Sequence, residues 1–435
     1  MFDPKAEAMS RDERAALQRH RLWGLIDRLL AAGGVQGERL REAGIERGAD
    51  VTLDDLPRLP FTTKRDLWDA YPFGMLAVPR DQIAAVHGSS GTRGRPTLVA
   101  YTRADLELWA AMCARSLACA GAGPGSVVHN AYGYGLFTGG IGIHQGAVAL
   151  GATVVPMSGG MTERQVRMIA DLRPDILTCT PAYALRLGEV AAEMGADVSS
   201  LRAGVFGAEP WSAEMRAAIE AVLPIKAVDI YGLSEVIGPG VATECLEQDG
   251  LHVNEDHFIV ETIDPETGEP RAEGEFGELV FTTPTKQALP LLRYRTGDIS
   301  SLTHGECDCG RTLVRMSKIR GRVDDMLVIR GVNVYPSEVE RVLLASGLVG
   351  PHYQLVVDRR EPQARLIVAC EPVDGGEVSA ELARLLRAEI GLAAEVRALP
   401  AGTVPRVEIG KAVRVVSWES GEPPVPGLNR PPAAT

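Results

Sequence analysis

The chain has 435 residues, 45% of them hydrophobic, with a net charge of -12 and seven cysteines. That length supports two or three domains around sizeable cores, and an acidic balance without any basic run argues against a protein tuned to polyanions such as nucleic acid. Arg or Asp interrupts every apolar run of the first thirty residues, so neither a signal peptide nor a membrane span can be drawn, and an odd cysteine count argues against a disulfide framework; the expected setting is the cytoplasm.

A charged N-terminal stretch with helical spacing comes first. Residues 87–102, "HGSSGTRGRPTLVAYT", follow with three glycines, two serines, two arginines and three threonines and no acid, a composition suited to an anion. "SVVHNAY" (126–132), "ATVVP" (152–156), "DILTCT" (175–180), "AGVF" (203–206) and "IKAVDI" (225–230) read as strands, and "TERQVRMIADL" and "WSAEMRAAIEAVL" between them carry helical periodicity. This alternation predicts an α/β large domain with a doubly wound, mostly parallel sheet, whose ligands gather at the carboxyl ends of the strands. From about residue 257 the text turns β-rich, with the turn signals of "ETIDPETGEP" and "EGEFGELVFTT", and predicts a smaller antiparallel subdomain.

A further change near residue 322 sets the domain organisation: a large domain over 1–321, a small α+β domain over 322–416, and a Pro- and Gly-rich tail over 417–435 expected to be disordered. Among the thiols, Cys113, Cys119, Cys179 and Cys370 lie in apolar text and read as packing residues. Cys245, Cys307 and Cys309 lie in polar, loop-like text. With His252 they have the ligand count and softness of a closed structural zinc site, and His257 competes for the fourth position.

The 87–102 stretch is not a P-loop, because Arg95 and Pro96 stand where Lys and Ser/Thr would be needed and a strand follows instead of a helix. Its hydroxyls and backbone amides could instead wrap a phosphate as a nest. Further along stand, in order, "FGAEPW" (206–211), "DIYGLSE" (229–235), "YRTGD" (294–298), "GRVDDMLVIRGVNVYPSEVE" (321–340) and "GKAVRVV" (410–416). Together with the loop these motifs resemble the adenylate-forming acyl-CoA synthetase superfamily, and "NAYGYGLFTGG", "SGGMTERQ" and "YGLSEVIGPGVATEC" resemble the phenylacetate-CoA ligase family within it. The resemblance runs from about residue 10 to residue 416. Family members usually carry Thr and Lys where this loop has Arg93 and Arg95.

The resemblance implies an ATP-dependent aryl-acid:CoA ligase, with phenylacetate as the leading acid. A carboxylate attacks the α-phosphate of ATP, pyrophosphate leaves, and coenzyme A then displaces AMP from the aryl-adenylate. Carried over residue by residue, Ser89, Ser90, Gly91, Thr92 and Gly94 close over the leaving phosphates, and Glu235 holds Mg2+, a hard cation suited to carboxylate and phosphate oxygen. Gly207, Ala208, Glu209, Pro210, Asp229, Tyr231 and Gly232 form the adenine-side wall, and Asp298 accepts from both ribose hydroxyls. Arg322 faces the phosphates. Asp324 marks the hinge of a mobile C-terminal domain, Gly331 lets the pantetheine arm pass close to backbone, and Lys411 reaches the carboxylate and α-phosphate during adenylation.

Tyr132, Tyr134, Gly135, Phe137, Ala208, Ile237, Gly238 and Pro239 line the implied acid pocket. No charge stands among them, so a flat, mostly apolar acid is expected there. The family also implies a possible homodimer. Two rival readings stay open at this point: an aryl-acid adenylating enzyme that loads a carrier protein, and an inactive homologue that only binds nucleotide. Retention of Glu235, Asp298 and Lys411 together argues against the second.

Overall fold

The computed structural model describes residues 1–89, 96–329, 332–361 and 363–428. Its centre is a nine-stranded mixed sheet. From one edge to the other the strands are Leu302–Thr303, Arg315–Met316, Leu251–Val253, Gly238–Glu244, Lys226–Leu233, Ala203–Gly207, Ile176–Cys179, Val127–Asn130 and Thr153–Val155. The last five are parallel and the first four extend them antiparallel. All five parallel strands fall where apolar runs bounded by turn or helix text predict them. The β-rich text differs from its expectation: strands on either side of residue 257 prolong the main sheet, and Ile259–Ile263, Gly277–Thr282, Tyr294–Ser300 and Gly321–Arg322 make a separate antiparallel sheet. The helical and strand text of this region carries no signal that assigns a strand to one sheet or another.

Side-chain alternation along the parallel strands divides the core into two layers. Val205, Val228 and Ile230 pack with Leu117, Ile143 and Ala147 of the helices Arg103–Cys119 and Thr138–Leu150. Leu177, Phe206 and Ala227 pack on the opposite face with Ile169, Tyr183, Leu187 and Ile219, from the helices Thr162–Leu172, Pro181–Met194 and Ala213–Val222. The N-terminal helix Arg11–Ala32 opens with a capping box, in which Ser10 and Glu13 satisfy each other's backbone N–H, and its Leu22, Leu25, Ile26 and Leu29 build a smaller cluster.

After the hairpin Leu327–Ile329 and Val332–Val334, the chain forms the helix Pro336–Ala345, the helix Ser379–Ile390 and a four-stranded sheet. Its strand order is Glu395–Ala398, Arg365–Pro372, Val349–Asp358 and Val415–Trp418. The expectation of disorder from residue 417 is corrected over 417–428. Trp418, Val425 and Leu428 are buried against Val356, Ile367, Leu399 and Val404, so the few apolar residues of the tail cover one face of this sheet while its prolines and glycines shape the turns between them. Among the described residues, no helix is long and apolar enough to cross a membrane.

Candidate active site and metal cluster

The carboxyl ends of the parallel strands carry the residues singled out from the sequence. Gly207 ends the strand Ala203–Gly207, where a Cβ would lie 2.1 Å from the carbonyl oxygen of Ile230, so only glycine lets the two strands close. Ala208 follows with φ of +72°, a left-handed conformation that an alanine adopts only under constraint from its surroundings. Gly232 is bound in the same way: a Cβ there would lie 1.9 Å from the carbonyl of Gly238.

Glu235 lies just beyond the strand Lys226–Leu233 with only 3% of its surface exposed. Its Oε1 is 3.5 Å from the Ser89 hydroxyl and 3.6 Å from Lys64 Nζ, and its carbonyl accepts 2.8 Å from Lys286 Nζ. The start of the 87–102 loop and the expected magnesium carboxylate are therefore neighbours. A single carboxylate beside a loop expected to bind phosphate fits Mg2+, which commonly takes one or two carboxylates and completes its shell with phosphate oxygens and water. Ser90, Gly91, Thr92 and Gly94, together with Arg93 and Arg95, lie outside the described residues, as does Gly331.

Asp298 and Arg322 face each other across the antiparallel pair Tyr294–Ser300 and Gly321–Arg322. Asp298 Oδ1 accepts from Arg322 Nη1 at 2.7 Å and Oδ2 accepts from Tyr231 Oη at 2.7 Å. Burial raises the Asp298 pKa, and Arg322 and Tyr231 oppose that rise. Tyr231 is buried and stacked on Phe281, and its hydroxyl orients Asp298. Arg322 is held by Asp298 and by Asp324, whose Oδ1 accepts from Arg322 Nε at 2.8 Å, so in this arrangement it ties the expected hinge aspartate to Asp298.

Asp229 lies 3.8 Å from Lys318 Nζ, and Lys318 in turn sits over the Trp211 ring. Pro210 is exposed and Glu209 half-buried. The Glu209 carboxylate points across to the C-terminal unit: it accepts from Ala182 N at 3.0 Å and from Ala412 N at 2.7 Å. Lys411 precedes Ala412 and is open to solvent in the cleft between the two units, yet close enough to the walls that desolvation lowers its pKa, with Glu209, Asp298 and Glu235 opposing and Arg322 reinforcing the shift. Lys411 thus lies in the field of the same acids that the motifs single out.

Among the expected pocket residues, the Tyr134 hydroxyl accepts from Asn130 Nδ2 at 2.8 Å and lies 3.1 Å from His144 Nδ1. The Tyr132 hydroxyl is buried beside the Gly207 backbone. Gly135 and Phe137 are exposed, and Pro239 is half-buried with its carbonyl engaged by Trp109. Gly238 has φ of +108° and packs on Trp109. Ile237 is a correction: it has no exposed surface and belongs to the core with Tyr101, Trp109 and Val236, because the turn after Glu235 drives it inward. Lys64, Lys286 and Thr180, whose hydroxyl donates to Gly410 O at 2.8 Å, were not singled out from the sequence, since each is a lone polar residue in text with no motif around it.

Cys245, His252, Cys307 and Cys309 converge from the end of strand Gly238–Glu244, strand Leu251–Val253 and the loop before Arg315–Met316, with their ligand atoms within 4.8 Å of one another. Cys245 Sγ lies 3.7 Å from Cys307 Sγ, and Cys309 Sγ lies 3.5 Å from His252 Nε2. A tetrahedron with metal–sulfur bonds of about 2.3 Å and metal–nitrogen bonds of about 2.0 Å has S–S and S–N edges of about 3.8 and 3.5 Å. The cluster can therefore hold a metal. Burial, reinforced by Arg311 and Arg315, pushes the His252 pKa down to about 4, which leaves its ring neutral and able to coordinate at ordinary pH. His257 is elsewhere, bonded to Asp256 at 3.1 Å and Thr285 at 3.0 Å, so it does not compete.

The AMP-binding enzyme profile matches residues 37–287, and that of the AMP-binding enzyme C-terminal domain matches residues 331–417. The chain is 50% identical to the phenylacetate-coenzyme A ligase of Thermus thermophilus, over 96% of this chain and 99% of that one. It is 47% identical to the phenylacetate-coenzyme A ligase of Escherichia coli, over 95% and 97%. Among solved structures, 2-hydroxyisobutyryl-CoA ligase in its postadenylation state with an acyl-AMP superposes with a TM-score of 0.88 at 28% identity, over 95% of this chain and 92% of that one. The same enzyme in its thioesterification state with CoA gives 0.72 at 29% identity, over 96% and 92%. The two units of this chain are thus arranged more nearly as in the postadenylation state. The chain belongs to the phenylacetate-coenzyme A ligase family of AMP-binding enzymes.

Proposed function

We propose that this chain condenses phenylacetate with coenzyme A at the expense of ATP. The carboxylate oxygen attacks the α-phosphorus, pyrophosphate leaves, and the thiol of coenzyme A then attacks the acyl carbon of the aryl-adenylate and releases AMP. The observation that supports the reading is that Lys411 lies within the electrostatic field of Glu209, Glu235 and the Asp298–Arg322 pair, with Glu209 bonded to the backbone of the next residue, Ala412. Asp298, oriented by Tyr231, suits the ribose hydroxyls, and Glu235 would hold Mg2+, which when bound offsets phosphate charge. Lys411 supplies a cation where negative charge gathers between carboxylate and α-phosphate. Tyr132 and Tyr134, with no charged neighbour among the expected pocket residues, suit an aromatic ring. We assign the Cys245, His252, Cys307 and Cys309 cluster to a structural Zn2+, because four soft ligands leave no open position for chemistry. None of the seven cysteines is in a disulfide, consistent with a cytoplasmic setting.

The test is pyrophosphate exchange and AMP release across aryl and arylacetic acids, with and without coenzyme A. Phenylacetate should support exchange alone and AMP turnover only with coenzyme A. Exchange without any coenzyme A-dependent turnover would instead indicate a carrier-protein acceptor, and no exchange with any acid would overturn the reading.

A further inference from the structure

The segment that carries Lys411 is gripped by the large unit on both sides of the lysine. Gly410 offers its carbonyl to the Thr180 hydroxyl at 2.8 Å, and Ala412 donates its N–H to Glu209 Oε2 at 2.7 Å. The other Glu209 oxygen accepts from Ala182 N, in the first turn of the helix Pro181–Met194, for which Thr180 is the N-cap residue. One end of that helix therefore supplies both halves of the grip: the hydroxyl of its N-cap, and the acid that its own N–H fixes in place. Three residues before Lys411, Glu408 accepts from Thr162 Oγ1 at 2.7 Å and from Arg186 Nε at 3.0 Å, which fixes the approach of the segment.

We infer that Thr180 and Glu209 are positioning residues for adenylation, a two-point clamp that aligns Lys411 by holding the backbone on either side of it. The inference rests on the adenylating role assigned to Lys411. Backbone groups are held, not the side chain, so the lysine remains free to reach the reacting atoms while its Cα is fixed. A carboxylate is suited to this task because it has an acceptor for each of two N–H groups, whereas an amide offers one acceptor and turns a donor toward the other N–H. The clamp exists only where the two units meet as they do here, so it acts in one half-reaction.

Thr180→Val, Thr180→Ser, Glu209→Gln and Lys411→Ala variants of the full chain are compared in two assays: pyrophosphate exchange with phenylacetate, and coenzyme A-dependent consumption of supplied phenylacetyl-adenylate. Thr180→Val and Glu209→Gln should each slow exchange by about tenfold through kcat with little change in the KM for ATP, the scale of one misplaced or lost hydrogen bond. Consumption of the adenylate should stay within about twofold of the parent, and Thr180→Ser, which keeps the hydroxyl, should restore exchange. Parallel loss in both assays, equal behaviour of Thr180→Val and Thr180→Ser, or a Glu209→Gln defect confined to the KM for ATP and adenylate would overturn the clamp. The Lys411→Ala variant separates the two levels: undiminished exchange there removes the role of the lysine and the clamp with it, whereas a lost exchange alongside normal Thr180→Val and Glu209→Gln variants overturns the clamp alone.

Discussion

Asp229 is a carboxylate almost wholly withdrawn from water, with Lys318 its nearest cation at 3.8 Å. Burial pushes its pKa up to about 6, with Lys318 opposing and the nearby Glu244 reinforcing the shift. A carboxylate whose pKa is higher folded than unfolded binds its proton more tightly in the folded chain, so its contribution to stability falls as the pH rises from about 4 through about 6. Asp229→Asn removes that titration. The stability of the variant relative to the parent should improve by about 2 kcal/mol between pH 4 and pH 7, as urea unfolding at a series of pH values would measure. Loss of a partner for Lys318 lowers both ends of the profile, so the slope is the readout, and a flat difference across the range would show that Asp229 titrates normally. At this scale the sequence was uneven as a guide. Glu235, Asp298 and Lys411 stood in motifs that name them. Lys64 and Lys286 are brought to Glu235 from 171 residues before it and 51 after it in the chain, and no local pattern reports such a meeting. The side-chain directions of Tyr231, Asp229 and Glu209 were also illegible, because a motif fixes where a residue stands but not which neighbour its polar atoms satisfy.

Elements were more legible than side chains, since period and turn chemistry are local. The five parallel strands and the helix Thr162–Leu172 coincide with their apolar runs and helical spacing to within a few residues. The antiparallel extension of the main sheet was not readable, because which sheet a strand joins is settled by long-range pairing. At the end of that extension the Cys245, His252, Cys307 and Cys309 cluster ties the end of the strand Gly238–Glu244 to the three-residue strand Leu251–Val253 and to the loop before the two-residue strand Arg315–Met316. Strands so short bury little, so the metal should supply much of their cohesion. Native protein should contain about one tightly held zinc per chain, and Cys309→Ser should lose it and melt several degrees lower while kcat for thioester formation falls by less than about twofold. Zinc absent from native protein by elemental analysis, with all three thiols reacting freely, would remove the assignment. The C-terminal tail shows the opposite error, where composition alone suggested disorder. Truncation after Gly421 removes Val425 and Leu428 from the face of the small sheet and should cost about 3 to 6 kcal/mol, at about 1.5 to 3 kcal/mol per buried aliphatic side chain. A truncated chain with unchanged thermal unfolding would show that the face needs no cover.

The large and small units meet mainly through polar contacts, with Leu344 and Val407 also packed on the core of the large unit: Ser212 N donates to Glu340 at 3.0 Å, Thr162 and Arg186 hold Glu408, His352 pairs with Glu189, and Glu209 and Thr180 hold the residues beside Lys411. Contacts of this kind are made and broken at modest cost, because water replaces each partner, and they resemble a transient interface more than a shared core. The better superposition on the postadenylation form of 2-hydroxyisobutyryl-CoA ligase than on its thioesterification form shows that the units are arranged here more nearly as in the former. If the small unit must leave this position before the thiol can attack, then holding it here should separate the two half-reactions. Cysteines substituted for Arg186 and Glu408, whose side chains lie 3.0 Å apart in the parent, can be joined by a short bismaleimide with a reducible link. The joined protein should retain pyrophosphate exchange, because Lys411 stays docked. Its coenzyme A-dependent consumption of supplied phenylacetyl-adenylate should fall by at least about tenfold, a rise of roughly 1.4 kcal/mol in the barrier, and should recover when the link is reduced. Each single-cysteine variant treated with the same reagent controls for the loss of Arg186 or Glu408. Thioester formation that proceeds at the same rate in the joined and reduced protein would mean that the arrangement seen here already admits the thiol, and that one orientation of the small unit serves both steps.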